Sequence, residues 1–107
     1  MLNIRFLTLA ETEIDDAVFW YQKQSIDESL NFLAELDRAL QVVVTYPLIA
    51  AEIELGIHSF LFRRFPYSLI YGVDDNLIIV IAIAHQSREP RYWVDRILNR
   101  RDAEDVE

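Results

Sequence analysis

Cysteine is absent from the 107 residues, which excludes a disulfide framework and any thiolate metal site. Two histidines with no carboxylate cluster around them leave no recognisable set of zinc ligands, so neither metal nor cofactor is expected. Glycine occurs twice and proline three times while 52% of the residues are apolar, a composition that excludes low complexity and disorder over most of the length. No apolar run approaches the roughly 18 residues a membrane helix needs, and the first residues lack the basic-then-apolar layout of a signal peptide. A cytoplasmic protein with no membrane partner is expected. The length suits one core and is short for two, which gives a single domain over residues 1–101 and an acidic tail over 102–107.

Lysine is nearly absent as well: Lys23 stands alone, and the net charge is −8. Such a balance argues against a phosphate-rich partner, because nucleic-acid affinity comes largely from lysine and arginine releasing counterions. The distribution qualifies the sum. Residues 1–56 carry a net −7, residues 57–101 a net +3 and residues 102–107 a net −4, and all seven basic residues of the middle segment are arginines. Arginine grips phosphate or carboxylate in a bidentate fork, so the positive segment is the place to look for a partner.

Leu2, Ile4 and Phe6 alternate with Asn3, Arg5 and Leu7 as in a half-buried strand, and Thr8 with Glu11 offers a capping box for a helix. Leu9, Ala10, Ile14, Ala17, Val18 and Tyr21 recur at helical spacing to about Gln24. Ser25 and Glu28 form a second capping box, and an apolar stripe of Ile26, Leu30, Leu33, Ala34, Leu40 and Val44 runs until Pro47 forbids further helix. Residues 48–56 read as an irregular connector. Beyond them β-branched and aromatic residues predict strands over 59–65, 68–73 and 77–85, with Asp74-Asp75-Asn76 as a hairpin turn. In the last strand Leu77, Ile79, Ile81 and Ile83 should share one face and Ile78, Val80, Ala82 and Ala84 the other. A short helix over 92–101 closes the pattern. The order β-α-α-β-β-β predicts an α+β fold, a helix hairpin packed on a mainly antiparallel four-stranded sheet.

The segment from His85 through Arg88, Arg91, Tyr92 and Trp93 begins where the longest strand should end, which is where side chains leave a core for solvent. It combines an imidazole, fixed positive charge and a phenol, the ingredients for handling a proton and a phosphate. Arg88, Arg91, Tyr92, Trp93 and Arg96 equally make a binding surface. Arg63 and Arg64, adjacent in a strand, should point to opposite faces, so that one of them reaches the cleft. His58 and His85 together would supply an acid and a base. The acidic pairs Asp15-Asp16, Asp27-Glu28 and Asp74-Asp75 read as caps and solubilising charges.

Ala17, Trp20 and Tyr21 in an early helix, a second helix closing at Pro47, then Phe65-Pro66-Tyr67 with Tyr71, then His85-x-x-Arg88-x-Pro90-x-Tyr92-Trp93 resemble the ParE/RelE toxin superfamily, nearest to ParE-like plasmid stabilisation proteins. The resemblance covers roughly residues 2–98. It implies the toxin of a type II toxin-antitoxin system, neutralised by a smaller antitoxin that wraps its surface, as a homodimer or a toxin-antitoxin heterotetramer. ParE-like members inhibit DNA gyrase. RelE-like members are ribosome-dependent, metal-independent mRNA endonucleases, and in that case Arg63 or Arg64 with Arg88 would steady the phosphate while His85 and Tyr92 carry protons. A third expectation is a member of reduced or lost toxicity that only binds antitoxin. His58 where such toxins commonly have arginine, together with the single lysine and the acidity, favours the non-nucleolytic route. The acidic tail is expected to fold back over the arginine segment.

Overall fold

A computed structural model describes residues 2–98; the acidic tail and the last residues expected in the terminal helix lie outside the described part. The elements run β1 (Asn3–Phe6), α1 (Thr8–Gln22), α2 (Ile26–Thr45), β2 (Ala51–Glu54), β3 (Ile57–Leu61), β4 (Tyr67–Asp74) and β5 (Leu77–His85). A helical segment over 94–98 follows. The five strands form one sheet in the order β1-β5-β4-β3-β2, with β1 parallel to β5 and every other neighbour antiparallel. The two helices pack on one face and the segment around Trp93 on the other.

The helix boundaries follow local chemistry with one exception. Ser25 is extended, and its Oγ accepts the Glu28 N–H at 3.0 Å, so the second capping serine acts as its sequence implies. Thr8 does not cap α1. Leu7 holds that position without a side-chain cap, because its own N–H completes the β1 pairing with the Val80 carbonyl at 3.0 Å and the helix starts at once.

Helix α2 carries two apolar stripes, and periodicity alone cannot say which one meets the sheet. The buried stripe is Phe32, Leu36, Ala39 and Val43, while Ile26, Leu30 and Leu33, expected inside, are exposed. On α1, Leu9 is likewise exposed while Ala10, Ala17 and Tyr21 are buried. Phe32 is decisive for the choice: its ring meets those of Tyr21, Phe62, Phe65 and Tyr67 at centroid separations of 5.3 to 6.0 Å. Such stacked and edge-on pairs add to burial.

Three strand expectations are corrected. The connector contains a fifth strand, β2, whose four residues are almost wholly exposed at the sheet edge and therefore show no apolar alternation; Gly56, at φ +77°, makes the turn into β3 that an L side chain would strain. Strand β3 ends at Leu61 rather than at 65. From there the Phe62 N–H reaches the Tyr67 carbonyl across a tight bend, and Phe62 and Phe65 both turn into the core. Arg63 and Arg64 thus lie on a bend, where the alternation of a strand does not apply. A bulge sets Ile70 opposite Ala82 but Tyr71 opposite Val80, leaving Ile81 as the extra residue. The facing of β5 flips there: Ile83 joins Ile78 and Val80 beneath the helices, and Ala82 joins Ile79 and Ile81 beneath Trp93.

Phe32→Ala should lower unfolding free energy by roughly 3–5 kcal/mol in urea titrations, whereas Leu30→Ala should change it by no more than about 0.5 kcal/mol. Equal losses would mean that the wrong stripe of α2 has been placed against the sheet.

Candidate functional site

Strand β5 outruns its neighbour. β1 pairs with it only as far as Phe6 opposite Val80, after which the chain turns into α1 and residues 81–85 lose their partner strand on that side. Two side chains replace the strand. Glu13, from the second turn of α1, accepts the Ile83 N–H at 3.0 Å, and Arg96 donates to the Ile81 carbonyl at 3.1 Å. An unpaired backbone group away from water costs about as much as a lost hydrogen bond, so this cover matters.

The same two side chains bind each other. Arg96 grips the Glu13 carboxylate with Nη1 at 2.8 Å and Nη2 at 2.9 Å, and the Tyr92 hydroxyl donates to its Oε2 at 2.5 Å. Side-chain exposure is 12% for Arg96 and 14% for Glu13, which makes this a largely desolvated pair. The Glu13 hydrogen bond holds the Arg96 guanidinium above its ordinary range. Burial, reinforced by the Glu13 hydrogen bond and charge and only partly opposed by Arg96 and Arg88, pushes the Tyr92 phenol well above its own.

Arg88 completes the arrangement. Its guanidinium lies 3.9 Å from the Tyr92 ring centre and its Nη1 is 4.0 Å from Glu13 Oε2, with half of the side chain in solvent. His85 packs edge-on against Tyr67 at 5.0 Å, and its Nδ1 accepts the Ser87 N–H at 3.0 Å, which leaves Nε2 as the protonated nitrogen of the neutral ring. Between these groups opens a cleft of about 160 Å³ lined by Glu13, Asp16, Tyr67, His85, Arg88 and Tyr92.

Of the residues singled out from sequence, His85, Arg88, Tyr92 and Arg96 come together here. The others are placed elsewhere. Trp93 is buried with Ile70, Ile79, Ile81 and Ala82 on the second face of the sheet. Arg91 sits in the left-handed region at φ +64° and pairs with Glu54 of β2. Arg63 and Arg64, on the bend after β3, lie beside α2: the Arg63 backbone N–H donates to Glu35 at 2.7 Å, and Arg64 stands 3.9 Å from Glu28. His58 is buried, stacked on Tyr71 and bonded through Nδ1 to the Ala50 carbonyl. It lies opposite Tyr71, whereas His85 lies opposite Tyr67, four residues along β4 or roughly 13 Å, so the two histidines do not meet.

The model of the ParE toxin of type II toxin-antitoxin systems (parDE) matches residues 4–90. The chain belongs to the ParE toxin family. As the toxin of a type II system it has an antitoxin for a partner. Among solved structures it is similar to one described as the chromosomal ParDE toxin-antitoxin system from P. aeruginosa, at 15% identity and a TM-score of 0.68, covering 79% of this chain and 96% of that one. At that identity the likeness concerns the fold. Comparison with curated proteins finds no match.

The ParE match takes in Glu13, His85 and Arg88 and stops before Tyr92 and Arg96. Glu13 escapes a reading of charges alone, because α1 is acidic throughout. One signal was available: Glu13 stands three residues after Ala10 and four before Ala17, which places an acid on the buried stripe of the helix. No helix among the described residues is long and apolar enough to cross a membrane.

Arg96→Met leaves the Glu13 carboxylate largely buried without its counter-ion and should cost on the order of 3 kcal/mol. Glu13→Leu combined with Arg96→Met should recover only part of that loss, because it removes the unpaired charge but leaves the Ile83 N–H and the Ile81 carbonyl without partners, and a double-mutant cycle in urea measures the coupling. A second expectation concerns alkaline pH. Burial, and after it the neighbouring Tyr21, push the Tyr67 phenol up to about 12 from its ordinary value near 10. The folded chain therefore holds this proton more tightly than the unfolded one, so the contribution is complete below pH 10 and is lost as pH rises towards 12. Its share of the loss should be about 2–3 kcal/mol, and Tyr67→Phe should make the profile shallower over that window, with the slope that remains coming from the other raised phenols, Tyr92 foremost.

Proposed function

We propose that this ParE-family toxin arrests growth by a non-nucleolytic route, binding and inhibiting DNA gyrase through the surface around Arg88. The observation that supports the reading is how the cleft groups are already engaged. Glu13 and Asp16 line it with carboxylates, which would repel an incoming phosphodiester. Arg96 and the Tyr92 hydroxyl are bound to Glu13, and the raised phenol is a poor proton carrier near neutrality. Arg88 is left half exposed and stacked on an aromatic ring, a type of residue that dominates binding surfaces more often than its area suggests.

The mRNA endonuclease reading has one observation in its favour, the presence of His85 and Arg88 in the same cleft. Arg63 and Arg64, which that reading needs beside the phosphate, sit on the bend after β3, where the Arg63 backbone N–H is tied to Glu35 of α2 and the Arg64 side chain stands 3.9 Å from Glu28. For the antitoxin, the exposed side chains of Phe19, Trp20, Ile26 and Leu30 flank the α1–α2 turn and offer an apolar seat, since monomers rarely leave such a patch uncovered. Asp27 beside them favours an amphipathic partner segment that carries basic residues.

Controlled induction in cells decides between the readings. Onset of the DNA-damage response with translation continuing is expected, and Arg88→Ala should reduce growth arrest at least about tenfold, measured by surviving colonies. Immediate cessation of protein synthesis would favour the endonuclease, and unimpaired growth the member without toxicity.

A further inference from the structure

The donors around Glu13 form a set with a meaning of its own. A guanidinium fork from Arg96, the Tyr92 hydroxyl and the Ile83 N–H all point at one position, with the Arg88 guanidinium 4.0 Å away. Proteins hold free carboxylates and phosphates with this combination of bidentate arginine, O–H and main-chain N–H. Here the anion belongs to the chain.

We propose that Glu13 is an internal ligand filling a preformed oxyanion site, and that the site takes a small carboxylate or a phosphate once the Glu13 side chain is withdrawn. The term preformed rests on contacts that do not involve Glu13. The Ile83 N–H is fixed by the β4–β5 pairing, in which Ile83 lies opposite Leu69. Arg96 is also bonded to the Ile81 carbonyl, and its backbone N–H donates to the carbonyl of the buried Trp93 at 3.0 Å. Tyr92 is held beneath Arg88, and its N–H donates to the Glu89 carbonyl at 3.2 Å. Removing the carboxylate leaves two cations and two further donors facing a vacated space that adjoins the cleft, and a desolvated set of this kind attracts an anion strongly. In the intact chain the same contact withholds Arg96 and Tyr92 from any outside phosphate. The inference does not depend on the cellular target, since it is read from stability rather than toxicity.

Thermal unfolding of Glu13→Ala, titrated with formate or with inorganic phosphate at ionic strength held constant by sodium chloride, tests it. The variant should melt lower than the intact chain and regain about 4 °C or more along a saturating curve, while the intact chain stays within about 1 °C. A response to formate alone assigns a carboxylate-shaped site, and a response to phosphate assigns one wide enough for a tetrahedral anion. Either supports the proposal. Adding Arg96→Met to the alanine variant should abolish the response, and Glu13→Gln, whose amide still fills the space, should show none. A folded alanine variant indifferent to both anions overturns the proposal, as does a glutamine variant that responds as strongly as alanine. An alanine variant that refolds only with anion present supports it. Failure to fold under either condition counts against it, because the donors would then depend on Glu13 for their positions.

Discussion

The carboxylate of Glu13 accepts hydrogen bonds from the Ile83 backbone, the Tyr92 hydroxyl and both terminal nitrogens of Arg96, and three separate parts of the chain meet at that point. It joins α1 to the unpaired end of β5 and to the segment that crosses the second face of the sheet. Without it β5 would present a bare backbone edge beyond Phe6, and the segment around Tyr92 would be held by apolar packing and the remaining Arg96 bond to Ile81. The contact is costly to half-remove, since each charge left alone would be largely buried.

Glu35 repeats the device on the other helix. It too sits on a buried stripe, three residues after Phe32 and four before Ala39. Burial alone would raise its carboxyl, but the bonds from Arg38 and the Arg63 N–H and the charges of both arginines outweigh that and hold it below its usual range. Each helix therefore carries one inward acid that accepts a backbone N–H from the sheet side and an arginine. The positive segment is consequently less free than its charge suggests. Arg64, Arg88, Arg91 and Arg96 all face acids contributed by α1, α2 or β2, so part of the acidity of residues 1–56 answers the arginines of residues 57–101.

That complementarity bears on how a ParE-family chain with so little lysine can act. Arg96 is bound internally and Arg64 and Arg91 each stand beside an acid, and the cleft itself presents an arginine stacked on a tyrosine and a histidine, with apolar side chains around the helix turn nearby. Those groups suit protein surfaces better than polyphosphate.

The sequence by itself determined the order of every element but β2, the α+β class, the serine cap of α2, the stop before Pro47 and the segment in which His85, Arg88, Tyr92 and Arg96 would gather. Each of these is written in local spacing or composition. Only the tertiary structure decided which apolar stripe of α2 is buried, because two stripes satisfy the same period and only packing against Phe62, Phe65 and Tyr67 separates them. It also decided that the bulge at Ile81 reverses the facing of Ala82 and Ile83, that a short exposed run becomes the edge strand β2, and that Arg63, Arg64 and Arg91 leave the cleft. Above all it set Glu13 opposite Arg96, 83 residues away. A pairing at that separation leaves no periodic trace in either segment; it exists because β1 ends before β5 does, and the uncovered backbone needs a donor and an acceptor from elsewhere.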